Sequence, residues 1–221
     1  MKKKYILLIL NCYKYAYKAK KQKEGWLKIL ENNNLDISYF HVIGDSSKCC
    51  ELEYMFDHKN KILYTNTKDD YVSLPHKVIT SFKAINETFE YEYIFKTDDD
   101  QLLLNENFFS CLVNEINKTK YHYGGHNCVV KDHYSTYYTL HDELPRNIFL
   151  KGTTYCNGRF YILSNTSVNY LIKNKFDVIK QDIIEDHSIG LHLDNNLKKH
   201  FLNIENYKYF VDMPISTDKT F

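Results

Sequence analysis

Two kinds of hydrophobic pattern alternate along the chain. Short runs rich in β-branched and aromatic residues are followed by longer stretches in which apolar residues recur every three or four positions. The short runs predict buried strands, and the longer stretches predict helices that cover a sheet. The predicted strands span Tyr5–Leu10, 37–43, 91–96 and 160–164. This alternation predicts an α/β fold with one layered sheet rather than separate helical and strand domains.

The clearest helical pattern follows Ser73, which is placed to cap a helix that has Pro75 in its first turn. Further helices are predicted after Asn105 and after Asn165, and another begins at Glu185. The faces expected to be buried contain Leu74, Val78, Phe82, Ile85 and Phe89 in the first helix, Phe108, Phe109, Leu112, Val113 and Ile116 in the second, Val168, Leu171 and Ile172 in the third, and Leu191, Leu193 and Leu197 in the last. Residues 121–151 have weak periodicity and many His, Tyr and Asp residues, which favours strands and loops near a site.

Length and charge limit the possible classes of protein. The 221 residues, 43% of them hydrophobic, suffice for one sizeable core, so we predict a single domain over 1–221. A formal net charge of +1 without charge blocks argues against a nucleic-acid partner. The apolar run Tyr5–Leu10 is too short for a membrane span and lacks a cleavage site, and the six cysteines show no paired spacing. A soluble, cytoplasmic protein with reduced thiols is expected, and its oligomeric state is left open.

Three consecutive carboxylates, Asp98, Asp99 and Asp100, follow directly after the third predicted strand. Adjacent anions repel one another, and the carboxyl end of a strand in an open α/β sheet is where ligands bind. A divalent cation, Mg²⁺ or Mn²⁺, would relieve the repulsion and bridge to substrate phosphates. Asp98 and Asp100 would point to the same side if the backbone stayed extended. A solvated acidic turn is the alternative, and the position after a buried strand favours the metal site.

A second acidic pair, Glu185 and Asp186, lies at the predicted start of the last helix. Carboxylates at this position can simply cap a helix, but a carboxylate separate from the metal ligands can also serve as a general base. Asp186 is the candidate for that role. Between the two acidic segments, Gly158 lies at a turn into a strand, where it permits close approach to a ligand or forms a β-bulge. Gly124 and Gly125 indicate at most a turn.

These segments resemble the motifs of the inverting β-1,3-galactosyltransferase and β-1,3-N-acetylglucosaminyltransferase family, to which the Fringe enzymes are related. The resemblance covers most of the chain, and the matching segments occur in the family's order. Lys96 to Asp100 resembles the family's lysine and aspartate triplet, and Tyr155 to Ser164 resembles its Tyr-x-Ser-Gly-Gly-x-Tyr-x-Leu-Ser motif. Glu185 and Asp186 with Gly190 resemble its Glu-Asp-Val-x-x-Gly motif. Asp70 and Tyr71 with Leu74 and Lys77 resemble its Asp-x-Tyr-x-Asn-Leu-x-x-Lys motif, and Trp26 resembles the tryptophan of its Arg-x-x-Trp motif. This chain departs from the pattern at Ser73, Arg159 and His187.

The resemblance implies a GT-A fold, which is a Rossmann-like α/β/α domain with a single mixed sheet flanked by helices. It also implies a UDP-sugar donor, Mn²⁺ or Mg²⁺, a carbohydrate acceptor, and a β-linked product formed with inversion. By the same resemblance, Asp98, Asp100 and His200, with His192 as a rival, are the expected metal ligands. Asp98, Asp99, Lys77 and Asp70 are expected to bind the UDP-sugar, Gly158 and Glu185 to line the donor and acceptor pocket, and Asp186 to act as the base.

Other functions remain open from the residues alone. Clustered Asp, Glu and His side chains also serve metal-dependent phosphohydrolases and nucleases, and a sugar-binding protein can keep such a fold without catalysis. A zinc site of His122, His126 and Cys128 lacks an evident fourth ligand. A stacking surface for a sugar ring could include Tyr134, Tyr137, Tyr138 and Tyr155. The sequence does not determine which sugar is transferred or to which acceptor.

Overall fold

A computed structural model describes residues 1–214 of the chain. The strands are β1 (Tyr5–Leu10), β2 (Ile37–Gly44), β3 (Tyr54–Asp57), β4 (Ile62–Thr65), β5 (Tyr93–Asp98), β6 (Gln101–Leu103), β7 (Tyr123–Val130), β8 (His133–Tyr134), β9 (Phe149–Leu150), β10 (Thr153–Ser164), β11 (Phe201–Asn203) and β12 (Phe210–Asp212). The helices are α1 (Ala16–Glu24), α2 (Trp26–Asn32), α3 (Ser46–Cys49), α4 (Leu74–Thr88), α5 (Phe108–Lys118), α6 (Asn165–Ile179), α7 (Glu185–His192) and α8 (Asn195–Lys198). Short 3₁₀ turns lie at Tyr13–Tyr15, Tyr137–Thr139 and Asn206–Lys208.

Eight strands form one mixed sheet in the order β11-β7-β10-β5-β1-β2-β4-β3. Strands β5, β1, β2 and β4 run parallel, whereas β10 is antiparallel to both of its neighbours and β3 is antiparallel to β4. All four predicted strands are therefore confirmed as members of this sheet. β5 begins and ends two residues later than predicted, so that its last residue is Asp98. β10 begins earlier than predicted, at Thr153.

Two hydrophobic cores lie on opposite faces of the sheet, which alternating side chains of β1 divide between them. Ile6 and Leu8 pack on one face with α4, α6 and α7. Leu7 and Ile9 pack on the other face with α2 and α5. The predicted faces of α4 and α5 are buried in these cores. The result is the expected α/β/α layering, which leaves the carboxyl ends of the parallel strands to the connecting loops.

One helix cap and one helix boundary differ from the predictions. Helix α4 begins where predicted, but the side chain of Ser73 makes no capping hydrogen bond; instead, Asp70 accepts a hydrogen bond from the Ser73 amide at 2.7 Å. The last predicted helix is interrupted, since α7 ends at His192 and Leu193 has an extended backbone. Leu197 then belongs to the separate helix α8. Apolar spacing alone could not reveal this break.

Gly124 and Gly125 lie within β7, not in a turn. A Cβ atom at Gly124 would come within 2.8 Å of the Leu202 carbonyl oxygen, so the glycine permits the close pairing of β7 with β11. The six cysteines are free thiols. Among residues 1–214, no helix has the length and apolar character that a membrane crossing requires.

Gly190 brings α7 into close contact with β10. A Cβ atom at Gly190 would lie 2.1 Å from the Tyr155 Cβ and 3.0 Å from the Thr154 carbonyl oxygen. We therefore expect Gly190→Ala to force α7 away from β10 and to lower the free energy of unfolding by about 1–3 kcal/mol, the usual cost of overpacking. Urea unfolding followed by circular dichroism measures this change. Asn174→Ala, at an exposed position of α6, is the control, and equal stability of the two variants would contradict the prediction.

Candidate active site

The aspartate triplet lies where β5 ends and the chain turns into β6. Asp98 is the last residue of β5, and Asp99 and Asp100 form the turn. The backbone is therefore not extended through the triplet, and strand alternation does not govern where these side chains point. The side chains of Asp98 and Asp100 are 34% and 39% exposed, whereas that of Asp99 is 11% exposed. Asp98 and Asp100 are thus the two members accessible to a ligand.

A buried lysine connects the triplet to the second acidic segment. The Lys96 ammonium, 1% exposed, lies 2.7 Å from Asp98 Oδ1 and 2.9 Å from Glu185 Oε2, and it donates to the Gly158 carbonyl at 2.8 Å. Burial alone would lower the pKa of Lys96, but the two carboxylates raise it above its ordinary value. Lys96 therefore remains charged and joins β5, β10 and α7 at one point.

Glu185 does not line a pocket, contrary to the prediction. Its side chain is 3% exposed and is held between Lys96 and the Tyr161 hydroxyl, which donates to it at 2.5 Å. Burial is the main cause that raises the pKa of Glu185. An ionised carboxylate at such a depth requires a charged partner and hydrogen bonds, and these contacts supply them. Glu185 is therefore part of the framework that supports the site.

Asp186 is the first accessible carboxylate of α7. Its Oδ2 accepts a hydrogen bond from the Gly158 amide at 2.9 Å, and its Oδ1 accepts one from the His187 amide at 2.8 Å. Burial raises the pKa of Asp186, and Lys96 opposes that rise. The carboxylate is thus fixed in position, at the predicted start of the helix, without a direct ion pair to any lysine in residues 1–214.

Gly158 lies between the two acidic segments. A Cβ atom there would lie 3.3 Å from Lys96 Nζ, 3.4 Å from Asp186 Oδ2 and 3.5 Å from Asp98 Oδ2. The pairing of β10 with β7 is irregular between Cys156 and Tyr161, so Gly158 is located in a bulge and also makes the close approach. Asp98 Oδ2 and Asp186 Oδ2 consequently face the same small region of space.

Lys77 is paired with Asp69, whereas Lys77 and Asp70 are the residues expected to bind the UDP-sugar. The Lys77 ammonium is 2% exposed and lies 2.7 Å from Asp69 Oδ1. Asp69 also accepts hydrogen bonds from the amides of Gly44 at 3.1 Å and Tyr13 at 2.7 Å, so it links the carboxyl ends of β1 and β2 to α4. Asp70 only caps the turn before α4. The Asp-x-Tyr spacing before Tyr71 in fact indicates Asp69, a signal that the choice of Asp70 missed.

His200 is far from the triplet and is excluded as a metal ligand beside Asp98. It precedes Phe201, which pairs with Tyr123 at the start of β7. Through β10, Tyr123 is in register with Ile94, near the start of β5, whereas Asp98 is at the end of β5. Three strand spacings and the length of β5 separate it from Asp98, on the order of 20 Å. The rival His192 bonds to Asp182 at 2.9 Å. Loop lengths in sequence could not reveal these positions.

The donor set of the triplet suits a hard divalent cation. Asp98 Oδ2 faces Gly158, which has no side chain to cover it, and Asp100 is accessible. Carboxylate oxygens are the ligands that Mg²⁺ and Mn²⁺ prefer. Within residues 1–214, however, no three His, Cys, Asp or Glu side chains converge as a ready-made metal-binding group. Two carboxylates with water and substrate phosphates are a common arrangement for Mg²⁺, so the residues present fit a metal that a ligand helps to bind.

His122, His126 and Cys128, the alternative zinc ligands, do not form a separate metal centre among residues 1–214. His122 Nδ1 is 2.8 Å from the Ser164 hydroxyl, and the Cys128 thiol contacts the His126 carbonyl. His122 and Cys128 thus each have a local partner, whereas the His126 Nδ1 atom is buried without a hydrogen-bond partner among residues 1–214. Within residues 1–214, these side chains do not converge with any third metal-binding group.

The strand β12 closes one side of the triplet, a feature that the sequence did not predict. β12 pairs with β6, and the Met213 amide donates to the Asp100 carbonyl at 2.6 Å. Arg159 donates two hydrogen bonds, 2.8 and 2.9 Å long, to the carboxylate of Asp212. The Gln101 side-chain amide donates to both Asp212 and Asp100 at 2.8 Å. The arginine at a family glycine position therefore anchors β12 beside Asp100.

Aromatic residues from the 131–150 segment pack beside Asp186. Tyr71 and His141 stack with ring centroids 4.0 Å apart, and Tyr137 and Tyr138 pack against the same apolar cluster. Burial raises the pKa of Tyr137 and Tyr155, and the charge of Asp186 adds to both shifts. Tyr134 is instead 65% exposed and contacts Phe149. Part of the predicted tyrosine surface thus lies near Asp186.

Removal of the Lys96 charge tests the importance of the buried network. Lys96→Met would leave Asp98 and the buried Glu185 without their common cation, and we expect a loss of about 3–5 kcal/mol in unfolding free energy. Urea unfolding at pH 7.5 without metal gives this value. Lys20→Met removes an exposed lysine paired with Glu24 and is the control. Added Glu185→Gln should restore part of the stability, and a loss below about 1 kcal/mol in the single variant would exclude a dominant role for Lys96.

Comparison with known proteins places this site in a family. A sequence profile described as "Galactosyltransferase" matches residues 20–200. "Probable beta-1,3-galactosyltransferase 13" of Arabidopsis thaliana is 27% identical over 176 residues, which are 76% of this chain and 49% of that protein. "Probable beta-1,3-galactosyltransferase 12" of the same organism is 33% identical over 82 residues, 36% of this chain and 22% of that protein. The chain thus spans half or less of the length of these curated relatives.

The fold is also found in a solved structure with little sequence similarity. The crystal structure of "a glycosyltransferase involved in the glycosylation of the major capsid of PBCV-1" superposes with a TM-score of 0.53 at 10% identity, covering 97% of this chain and 94% of that one. This likeness concerns the fold alone, and it confirms the predicted GT-A architecture. The matched range contains the aspartate triplet, Gly158 and the Glu185–Asp186 pair, which contact one another in the structure. The chain belongs to the galactosyltransferase family and has the GT-A fold.

Proposed function

We propose that this protein is a metal-dependent, inverting glycosyltransferase that moves a hexose or N-acetylhexosamine from a UDP-sugar to a hydroxyl of a carbohydrate acceptor. The observation that supports this most strongly is the meeting of Asp98 Oδ2 and Asp186 Oδ2 at Gly158. Asp98 belongs to an accessible carboxylate cluster that suits a cation. Asp186 is fixed beside it by its own backbone hydrogen bonds. Family membership supports the same reaction class.

Asp98 and Asp100 would hold the Mn²⁺ or Mg²⁺ ion. When bound, such an ion neutralises the negative charge that develops on a departing diphosphate. Gln101 and the Met213 amide hold Asp100 in place through its carboxylate and carbonyl oxygens. Lys96 holds Asp98 through Oδ1 and leaves Oδ2 directed toward Gly158. These contacts orient the two ligands before any substrate binds.

Asp186 would act as the general base. Its two backbone hydrogen bonds fix its orientation, while burial raises its pKa and so increases its basicity over that of a solvated aspartate. Asp186 removes the proton of the acceptor hydroxyl while the hydroxyl oxygen attacks the anomeric carbon. The bond from that carbon to the diphosphate oxygen breaks on the opposite face. An α-linked donor then yields a β-linked product. The names of the relatives favour a galactosyl donor and a β-1,3 linkage.

The nucleoside would lie toward the carboxyl ends of β1 and β2, as ligands do in open α/β sheets. Asp69 and Lys77 organise this edge, since Asp69 binds backbone amides from both loops and Lys77 also donates to the Asn11 carbonyl. Their role is then to shape the loops that surround the donor. Asp99 also contacts this edge of the sheet, because its amide donates to the carbonyl of Leu10, the last residue of β1, at 3.0 Å.

A two-metal phosphohydrolase or nuclease fits the structure less well. Such sites hold two cations about 4 Å apart and require several accessible carboxylates. Here Glu185 is buried against Lys96, and Asp99 is buried against a lysine of α1. A non-catalytic sugar-binding protein would not require Asp186 to be fixed beside Asp98. Transfer, rather than phosphodiester cleavage, is therefore the function that we favour.

Donor binding gives the first test. We expect a single UDP-sugar, among UDP-, GDP- and dTDP-sugars, to bind and to be slowly hydrolysed when Mn²⁺ is present and not when EDTA is present. Asp100→Asn should abolish the metal-dependent part of donor binding and of donor hydrolysis, because it removes the charge of an accessible ligand. Calorimetry and release of UDP measure the two effects. Binding of no donor by the folded wild-type protein, with or without metal, would disprove the proposed function.

Substitution of the base gives a separate test. Asp186→Asn preserves the shape of the side chain but removes the proton acceptor, so we expect transfer to fall by about 10²–10⁴-fold while the donor affinity changes little. The measurement is the rate of glycoside formation with the donor found above. Asp177→Asn, an exposed aspartate of α6, provides the control. Wild-type transfer with unchanged stereochemistry in Asp186→Asn would remove Asp186 from the mechanism.

A further inference from the structure

Lys18 of α1 contacts Asp99 and Asp100, the two members of the aspartate triplet that Lys96 does not contact. Its ammonium lies 3.3 Å from Asp99 Oδ1 and 3.8 Å from Asp100 Oδ2, and its side chain is 14% exposed. The stem passes beside Tyr15, whose ring centroid is 4.2 Å from the ammonium. No motif of the sequence indicated this lysine, because its contacts join residues more than 80 positions apart.

Three lysines reach the carboxylates at this edge of the sheet, and Lys18 is held the least tightly. Lys96 and Lys77 are 1% and 2% exposed and have carboxylate contacts of 2.7–2.9 Å. Each of them also donates to a backbone carbonyl, which fixes its position. Lys18 has longer contacts, greater exposure, and no backbone acceptor among residues 1–214. Its amine can therefore move at little cost.

A divalent cation on Asp100 would compete with Lys18. Two positive groups that share one carboxylate repel each other unless further negative charge is present. Asp98 is already paired with Lys96, and in the described part of the chain no third acidic or histidine ligand converges on the triplet. A nucleoside diphosphate would offer both cations new partners, because its phosphate oxygens can bind the metal and an ammonium together.

We propose that Lys18 couples metal binding to diphosphate binding: it neutralises Asp99 and Asp100 in the free protein and transfers its contact to the donor's diphosphate when the metal occupies Asp100. This inference rests on the proposed function. Lys18 then weakens metal binding when the nucleotide is absent and strengthens nucleotide binding when the metal is present. Each ligand therefore increases the affinity of the protein for the other. Tyr15 keeps the ammonium beside the site while it changes partners.

Calorimetry with Lys18→Met tests the coupling, because the proposal requires changes of opposite sign. We expect Mn²⁺ alone to bind about 3–10-fold more tightly than to the wild type, since a competing cation is gone. We expect UDP in saturating Mn²⁺ to bind about 5–30-fold more weakly, since a phosphate contact is gone. Lys18→Arg keeps the charge and should retain most of the UDP affinity. Lys20→Met on the same helix, paired only with Glu24, is the matched control.

The outcomes separate the two proposals. If the wild type binds UDP and Mn²⁺ together but Lys18→Met alters neither affinity, or weakens both, the coupling role is wrong and the proposed function stands. If the wild type binds neither ligand, both are wrong. Circular dichroism of each variant verifies that the fold is intact, and a misfolded Lys18→Met would shift the test to Lys18→Gln, for which the same opposite changes are expected.

Discussion

The buried ammonium of Lys96 is the contact on which the site depends. It lies between Asp98 of β5 and Glu185 of α7 and also binds the Gly158 carbonyl in β10. Buried charges are stable only in such paired, hydrogen-bonded sets, so the three elements are held in one relative position. Asp186 follows Glu185 directly, and its place beside Asp98 is a consequence of this arrangement. Gly190 and Tyr155 bring α7 against β10 and complete the support.

Five carboxylates, those of the triplet with Glu185 and Asp186, surround the two ammonium groups of Lys96 and Lys18. Both the proposed metal binding and the proposed role of Lys18 follow from this excess of negative charge. Lys96 and Lys77 are fully buried and serve fixed partners, which leaves Lys18 as the adaptable cation. Asp98 and Asp100 retain oxygens that a metal ion can use, but the protein alone does not complete a coordination shell within residues 1–214. The donor diphosphate supplies the missing metal ligands and a new partner for Lys18 in the proposed complex.

The strand β12 and the 131–150 segment form the sides of the site. Arg159 anchors Asp212 of β12, and Gln101 connects that strand to Asp100. On the other side, the stack of Tyr71 on His141 joins the segment before α4 to the loop near Asp186. The first contact uses Arg159, which departs from the family motif, and the second joins Tyr71, which matches a motif, to His141, which lies outside the motifs. The β12 side of the site therefore depends on a residue that departs from the family pattern.

The sequence by itself determined the central elements and the acidic segments of the site. Hydrophobic period identified the central strands and the buried faces of α4 and α5, since periodicity reports local burial, and the carboxylate run after a strand indicated where the candidate site lies. Only the tertiary structure decided which charges meet. Strand register and helix packing place Glu185 in the framework, His200 at the far end of the sheet and Lys18 at the triplet. Those contacts join distant positions, and local spacing carries no information about them.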